Sequence, residues 1–380
     1  MSLALTSFAL AMRSAALKNL ALAVASTTTF FVLLEGVLRI LGLPRPETRQ
    51  PGMVRQDGRT SSSRHGAGPA VRWVEMNGWM SPDPELGWRF RPNQTVTERS
   101  EDGLAWSFTT TTLACRGPEL PGPPDVICMG DSVTAGFGVS QGGPYPEVLQ
   151  EILHARRPCT VLNGGVDGHS SEQGRAHLRR MLERFDPAVV TIGYGINDDW
   201  RASLPDPILS AGETQHGLAS AVIWIQRTFG RMRTYRLLKG PAVRWKMERA
   251  AREGRAVARV APERYAENLR AMVDMVRADG AVPIFVTPTS KWEWGVKDPE
   301  RRPGSVFIEY PMRLYRNVMA AVALEKGVER IELPLLSGYL PESELRFVDW
   351  CHPDAEGLCA IAGELAPAID RAMTRPPPAP

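Results

Sequence analysis

Ser132, Asp349 and His352 are the residues whose types and spacing point to covalent chemistry. The serine lies in "GDSVTAG", where the apolar run "DVICMG" (125–130) breaks into Gly-Asp-Ser. A hydroxyl held at the end of a buried strand can attack a carbonyl if a base takes its proton, and histidine is the usual base. Asp349 stands three residues before His352 in "FVDWCHPD". One tight turn can therefore bring the carboxylate to Nδ1 while Nε2 faces the serine. A tetrahedral oxyanion needs hydrogen-bond donors. The Ser132 N–H, the unhindered N–H of Gly168 in "NGGVDGHSSEQG" (163–174) and the side-chain amide of Asn197 in "GYGINDDW" (193–200) can supply them. Asp131, Val133 and His169 flank these positions as candidate pocket lining, Asp131 as a brace for the nucleophile's loop.

Each residue also has a plainer reading. A lone Gly-Asp-Ser is most often a capped turn, and Asn at a strand end commonly satisfies backbone groups. His65, His154, His169, His177 and His216 compete with His352, but His65 falls in the tether, His154 and His177 on helical stretches, His169 beside Gly168 and His216 in an insertion, whereas His352 has Asp349 in reach and Pro353 to stiffen its turn. Asp198 and Asp199 read as caps of the next segment of the chain. Asp354 and Glu356 read as first-turn acids of a closing helix.

The elements that must position these groups alternate from residue 123 onward. Strand candidates are 125–130, 159–164, 188–195, 282–288 and 328–333. Helical stretches separate them, among them "GPYPEVLQEILHAR" and "ERYAENLRAMVDMVRADG". In the second, Leu269, Met272, Val273 and Val276 recur at helical spacing and Gly280 makes a natural stop. Repeated strand–helix–strand units predict a three-layer α/β/α sandwich around a mainly parallel five-stranded sheet. Such sheets carry their chemistry at the carboxyl ends of the strands.

The 380 residues, 43% of them apolar, suffice for one large α/β domain with appendages. A net charge of +3 argues against wholesale nucleic-acid binding. Five scattered cysteines without a C-x-x-C pair suggest neither a disulfide framework nor a zinc site, although a single Cys351–Cys359 or Cys128–Cys159 bridge stays open.

Residues 1–43 form an N-terminal segment whose apolar stretch, 20–43, would extend about 36 Å as a helix, enough for a bilayer core of about 30 Å. It reads as an uncleaved membrane anchor. Ala23-Val24-Ala25 offers the competing reading of a signal-peptide cleavage site. Glu35 and Arg39 can neighbour each other at four-residue spacing. Arg13 and Lys18 flank one side, Arg39, Arg45 and Arg49 the other, which leans toward a cytoplasmic catalytic domain. Residues 44–122 read as a Pro-, Gly- and Ser-rich linker ending in an arm docked from about Trp79, and 123–375 as the catalytic domain. Within that domain, 200–262 is an insertion. From Arg227 to Arg259 it holds eleven Lys or Arg against Glu248 and Glu253, with interleaved aromatics. That pattern suits an anionic membrane surface, a cover over the site, or solvated basic helices.

"MGDSVTAG", "NGGVDGHS", "GIND" and "DWCHP", in this order and spacing, resemble the blocks of the SGNH hydrolases, also called the GDSL esterase/lipase family. Val133 replaces the usual leucine of the first block. The resemblance spans roughly residues 125–365. It implies a flavodoxin-like fold, Ser132, His352 and Asp349 as catalytic triad, and Ser132, Gly168 and Asn197 as oxyanion hole. It also implies serine ester hydrolysis of an ester-bearing small molecule, lipid or acylated glycan, without metal or organic cofactor. Acyl transfer to a cell-envelope glycan or lipid, and a non-catalytic binding role on the same fold, are the alternatives. The anchor and the "GWRFRPN" arm resemble a bacterial subgroup, which implies an inner-membrane location with the catalytic domain outside the cytoplasm.

Overall fold

The computed structural model describes residues 22–23, 25–41, 79–83, 85–99, 105–202, 257–288, 311–332, 347–349 and 351–374, with a few single positions besides. After a helical stretch at 25–40, four short strands precede the main sheet: β1 (Met80–Asp83), β2 (Gly87–Phe90), β3 (Thr95–Arg99) and β4 (Ala105–Thr109). They pair as two antiparallel hairpins. Next come β5 (Val126–Gly130), α1 (Ser132–Ala135), α2 (Tyr145–His154), β6 (Val161–Gly165), α3 (Ser171–Leu182) and β7 (Val189–Gly193). A two-residue ladder joins β8 (Arg201–Ala202) to β9 (Val257–Ala258). The chain closes with α4 (Pro262–Ala278), β10 (Val282–Val286), α5 (Pro311–Lys326), β11 (Glu329–Ile331) and α6 (Ala355–Thr374).

Five strands form one parallel sheet in the order β11-β10-β7-β5-β6. Successive side chains of a strand point to opposite faces, and β5 shows the result. Val126 and Cys128 pack with Leu149 and Leu153 of α2 and Leu358 and Ile361 of α6. Ile127 and Met129 pack with Leu178 of α3, Leu269 and Met272 of α4 and Met319 of α5. Both faces are therefore dry, which explains why the strands read as unbroken apolar runs. The helical spacing in α4 buries Leu269, Met272, Val273 and Val276, and Gly280 lies just past its end at φ +81°. The observed strands are mostly shorter than the runs expected for them: β5 and β6 begin one and two residues later, and β7, β10 and β11 give way at their carboxyl ends to loops.

From β5 the chain moves to β6 on one side, then to β7 on the other. Such a switch point opens a crevice at the carboxyl ends of the strands. Gly130, Gly165 and Gly193 lie in register there. Gly165 has to be glycine, since a Cβ would come within 2.3 Å of the Ala135 backbone nitrogen. That closeness lays α1 directly over the strand ends.

The hairpin arm is docked on the same region. Trp79, Trp88, Phe90, Trp106 and Phe108 are buried with Ala135, Phe137 and Val166, which belong to the α1 and post-β6 loops. At about 1.5–3 kcal/mol per buried large side chain, this offsets part of the entropy cost of ordering the arm. Asp83 and Glu85 reinforce it by pairing with Arg180 of α3.

Residues 25–40 are helical, with Phe30, Val32, Leu33 and Ile40 exposed. Glu35 is buried, accepts from the Thr234 backbone N–H (2.8 Å) and hydroxyl (2.9 Å), and pairs with Arg39 at 2.9 Å. The expected membrane-crossing helix over 20–43 is described only in part, and among the described residues no helix is long and apolar enough to cross a membrane. Ser26, Thr27, Thr28, Thr29, Glu35 and Arg39 break its apolar character, and the ends of the span lie outside the described residues. The linker before Trp79 and most of the basic 227–259 stretch also lie outside them. All five cysteines are free thiols.

Candidate active site

Ser132 is the first residue of α1, immediately beyond β5. Asp131 caps that helix, its carboxylate accepting the Val133 N–H at 2.9 Å. The serine is thus held where strand hands over to helix, with its hydroxyl at the crevice. His352 comes to it from the loop before α6. Its Nε2 lies 2.7 Å from the Ser132 Oγ, and its Nδ1 lies 2.7 Å from Asp349 Oδ2. The other carboxylate oxygen, Oδ1, accepts the backbone N–H groups of Cys351 (2.9 Å) and His352 (2.8 Å). Val348 N–H donates to the His352 carbonyl at 2.8 Å, and Phe347 bridges to Pro353. The turn closes on its own aspartate. Phe137 packs its ring 4.5 Å from the imidazole.

The electrostatics derive from burial and neighbours. Burial works to lower the His352 pKa, but the Asp349 charge and hydrogen bond, with Asp131 and Asp167 further out, raise it above the ordinary imidazole value. Burial opposes ionisation of Asp349, yet its bonds to His352 and the turn's N–H groups hold it below the usual carboxylate range. The pair is therefore arranged for an ionised aspartate beside a basic imidazole. Asp131 and Asp167 behave oppositely: burial pushes each up to about 6.

Gly168 sits beyond β6 at φ +77°, in the left-handed region that favours glycine. Asn197 lies just past β7 and reaches Asp131 with its side-chain amide at 3.4 Å. Thus Ser132, Gly168 and Asn197 stand at the ends of three adjacent strands, β5, β6 and β7.

The remaining expectations divide. Asp131 is buried beneath the serine loop. Val133 is half-buried and packs against the α2–α6 core. His169 is not pocket lining: it is 0% exposed, its Nε2 bonds the Trp88 carbonyl at 2.9 Å, and its ring packs on Trp88 and His177. The chain turns inward after Gly168 and carries the imidazole under the loop, where burial first and then His177 depress its pKa to about 3. Among the described residues, Asp198 accepts from the N–H and hydroxyl of Ser171 at the start of α3. Asp354 does serve α6, accepting the Gly357 N–H at 2.9 Å.

Four neighbours of the site escape sequence reasoning. Asp167 precedes Gly168, with one buried carboxylate oxygen unpartnered. Arg116, also buried, donates to the Gly136 and Val139 carbonyls behind α1 and stacks 4.3 Å from the Phe108 ring centroid. Trp88 and Arg259 contact the Gly168 loop. The only local signal is the arm motif "GWRFRPN", which marks docking rather than a role at the site.

Residues 128–358 match the model of the GDSL-like Lipase/Acylhydrolase family. The chain belongs to that family. It is 31% identical over 86 residues to an arylesterase of Vibrio mimicus, a match covering 22% of this chain and 43% of that protein. It is 30% identical over 80 residues to thioesterase 1/protease 1/lysophospholipase L1 of Escherichia coli K12, covering 21% of this chain and 38% of that one. The chain thus spans less than half the length of the curated relatives it matches. Among solved structures, a lipase/acylhydrolase from Enterococcus faecalis aligns with a TM-score of 0.42 and 16% identity, over 68% of this chain and 100% of the other.

Proposed function

We propose that this chain is a serine ester hydrolase. The observation that carries the reading is the unbroken hydrogen-bond chain from Ser132 Oγ through His352 to Asp349. As the Ser132 oxygen bonds to the ester carbonyl carbon, His352 Nε2 takes the hydroxyl proton and Asp349 steadies the resulting imidazolium. The N–H groups of Ser132 and Gly168 and the Asn197 amide receive the oxyanion. Collapse breaks the bond to the leaving alkoxide, which takes the proton from His352. Water then attacks the acyl-enzyme, with His352 again as base, and the acid leaves with Ser132 restored.

The substrate class is an ester-bearing small molecule, lipid or acylated glycan. Family membership and the relatives' names, arylesterase and thioesterase/lysophospholipase, support acyl-ester chemistry. We also read the apolar 20–43 stretch as the element that keeps the chain at a bacterial inner membrane, with the catalytic domain outside the cytoplasm. Support comes from the exposed Phe30, Val32, Leu33 and Ile40.

The test is turnover of p-nitrophenyl acetate and butyrate, with labelling by an alkyl fluorophosphonate. Ser132→Ala is expected to lose both. A Ser132→Ala chain that turns over like the wild type, or is still labelled, refutes the assignment.

A further inference from the structure

Glycine at φ +77° has little conformational preference of its own. The direction of the Gly168 N–H must therefore be set from outside. That N–H shares a peptide plane with the Asp167 carbonyl, and in a trans peptide the two point in opposite directions. Whatever holds the carbonyl aims the N–H. The Trp88 indole Nε1 donates to the Asp167 carbonyl at 2.8 Å, from a side chain that is 1% exposed.

We propose that Trp88, delivered by the N-terminal arm, is a positioning residue for the oxyanion site: its indole N–H holds the Asp167–Gly168 peptide so that the Gly168 N–H faces the crevice. The inference rests on the esterase reading above. The indole is a donor only, so the bond has one polarity. Drawing density onto the carbonyl oxygen also strengthens the N–H at the other end of the same peptide.

The surrounding contacts fix Trp88 and the loop to each other. His169, next after Gly168, bonds the Trp88 backbone carbonyl at 2.9 Å. Gln173 Nε2 donates to the Leu86 carbonyl at 2.6 Å. The next peptide is held as well, by Arg259 Nη1 donating to the Gly168 carbonyl at 2.8 Å. Arg259 is in turn pinned by Asp206 and Gln173, and its guanidinium carbon lies 5.8 Å from the Trp88 ring centroid. Both peptides around Gly168 are thus gripped by side chains from outside the sheet and its covering helices.

The experiment compares the full wild-type chain, Trp88→Phe, and a chain carrying 3-benzothienylalanine at position 88. The last replaces the indole N–H by sulfur and keeps the shape. With p-nitrophenyl acetate, both variants are expected to lose about 10-fold in kcat, a fraction of what loss of a whole oxyanion donor costs. KM should stay within about 2-fold, because the contact supports the transition state rather than ground-state binding. The fluorophosphonate inactivation rate should fall in parallel, and the pH midpoint of kcat/KM should not move, since His352 is untouched. If Trp88→Phe fails to fold, the isosteric chain carries the test alone. Unchanged kcat in that chain overturns the proposal, as does a loss expressed only in KM with inactivation unaltered. A wild-type chain that neither turns over esters nor is labelled fells the esterase reading, and this inference with it. An active wild type matched by its position-88 variants fells the inference alone.

Discussion

Asp349 grips His352 twice, through the ring at 2.7 Å from Nδ1 and through the backbone N–H at 2.8 Å. One carboxylate therefore sets both the tautomer of the imidazole and the turn that presents it. In Asp349→Asn the amide competes for the wrong tautomer, and kcat is expected to fall about 10³- to 10⁴-fold. Asp349 is also the foremost group raising the His352 pKa. The rising limb of kcat/KM against pH should then move to lower pH in the variant. A limb that stays in place would separate that titration from His352.

Asp167 titrates at about 6 instead of the usual 3.8, because burial outweighs the opposing pull of Arg116 and His352. The folded chain holds this proton more tightly than the unfolded chain. The stability it supplies is full below about pH 4 and is lost as pH rises through about 6. Asp167→Asn should therefore be more stable than wild type at pH 7.5, by on the order of 2–3 kcal/mol. That advantage should shrink toward pH 4.5. Denaturant unfolding at the two pH values gives the comparison, and equal differences at both would contradict the assignment.

Gly168→Ala puts a Cβ on a left-handed residue, at a cost of about 1–2 kcal/mol. The larger effect is expected in catalysis. Rotating the amide out of line should lower kcat about 10²- to 10³-fold, as removal of an oxyanion donor does. Thermal melting and steady-state kinetics on one preparation separate the two effects.

Arg259→Met leaves the Asp206 carboxylate buried with, among the described residues, the Ser170 hydroxyl as its remaining side-chain partner. Breaking a buried pair in this way costs about 3–5 kcal/mol. Adding Asp206→Leu should recover much of that loss, since the stranded charge goes too. Urea midpoints of the two single variants, the double variant and the wild type complete the cycle. Additive effects would mean that the pair is not coupled.

Much of the site could be seen in the sequence because it lies at strand ends, where polar residues interrupt apolar runs. Ser132, Gly168 and Asn197 each come after such a run, and Asp349 and His352 share one turn. Trp88 and Arg259 leave no such trace. Each reaches the Gly168 loop from about 80 to 90 residues away in the chain with one side-chain donor, and one donor at that separation has no period to detect. His169 misleads for a related reason: adjacency to Gly168 suggests a pocket wall, but its ring is buried against Trp88 and His177, contacts made across distance in the chain. The apolar 20–43 run shows the limit of composition, since length and hydropathy say nothing of Glu35 bonding Thr234.

The β8–β9 ladder pairs Ala202 directly with Val257. The two ends of the segment between them therefore meet side by side, in a ladder two residues wide. A change in the length of that segment would leave the five-stranded sheet as it is, provided Arg259, next after β9, still finds the Asp206 carboxylate that holds it.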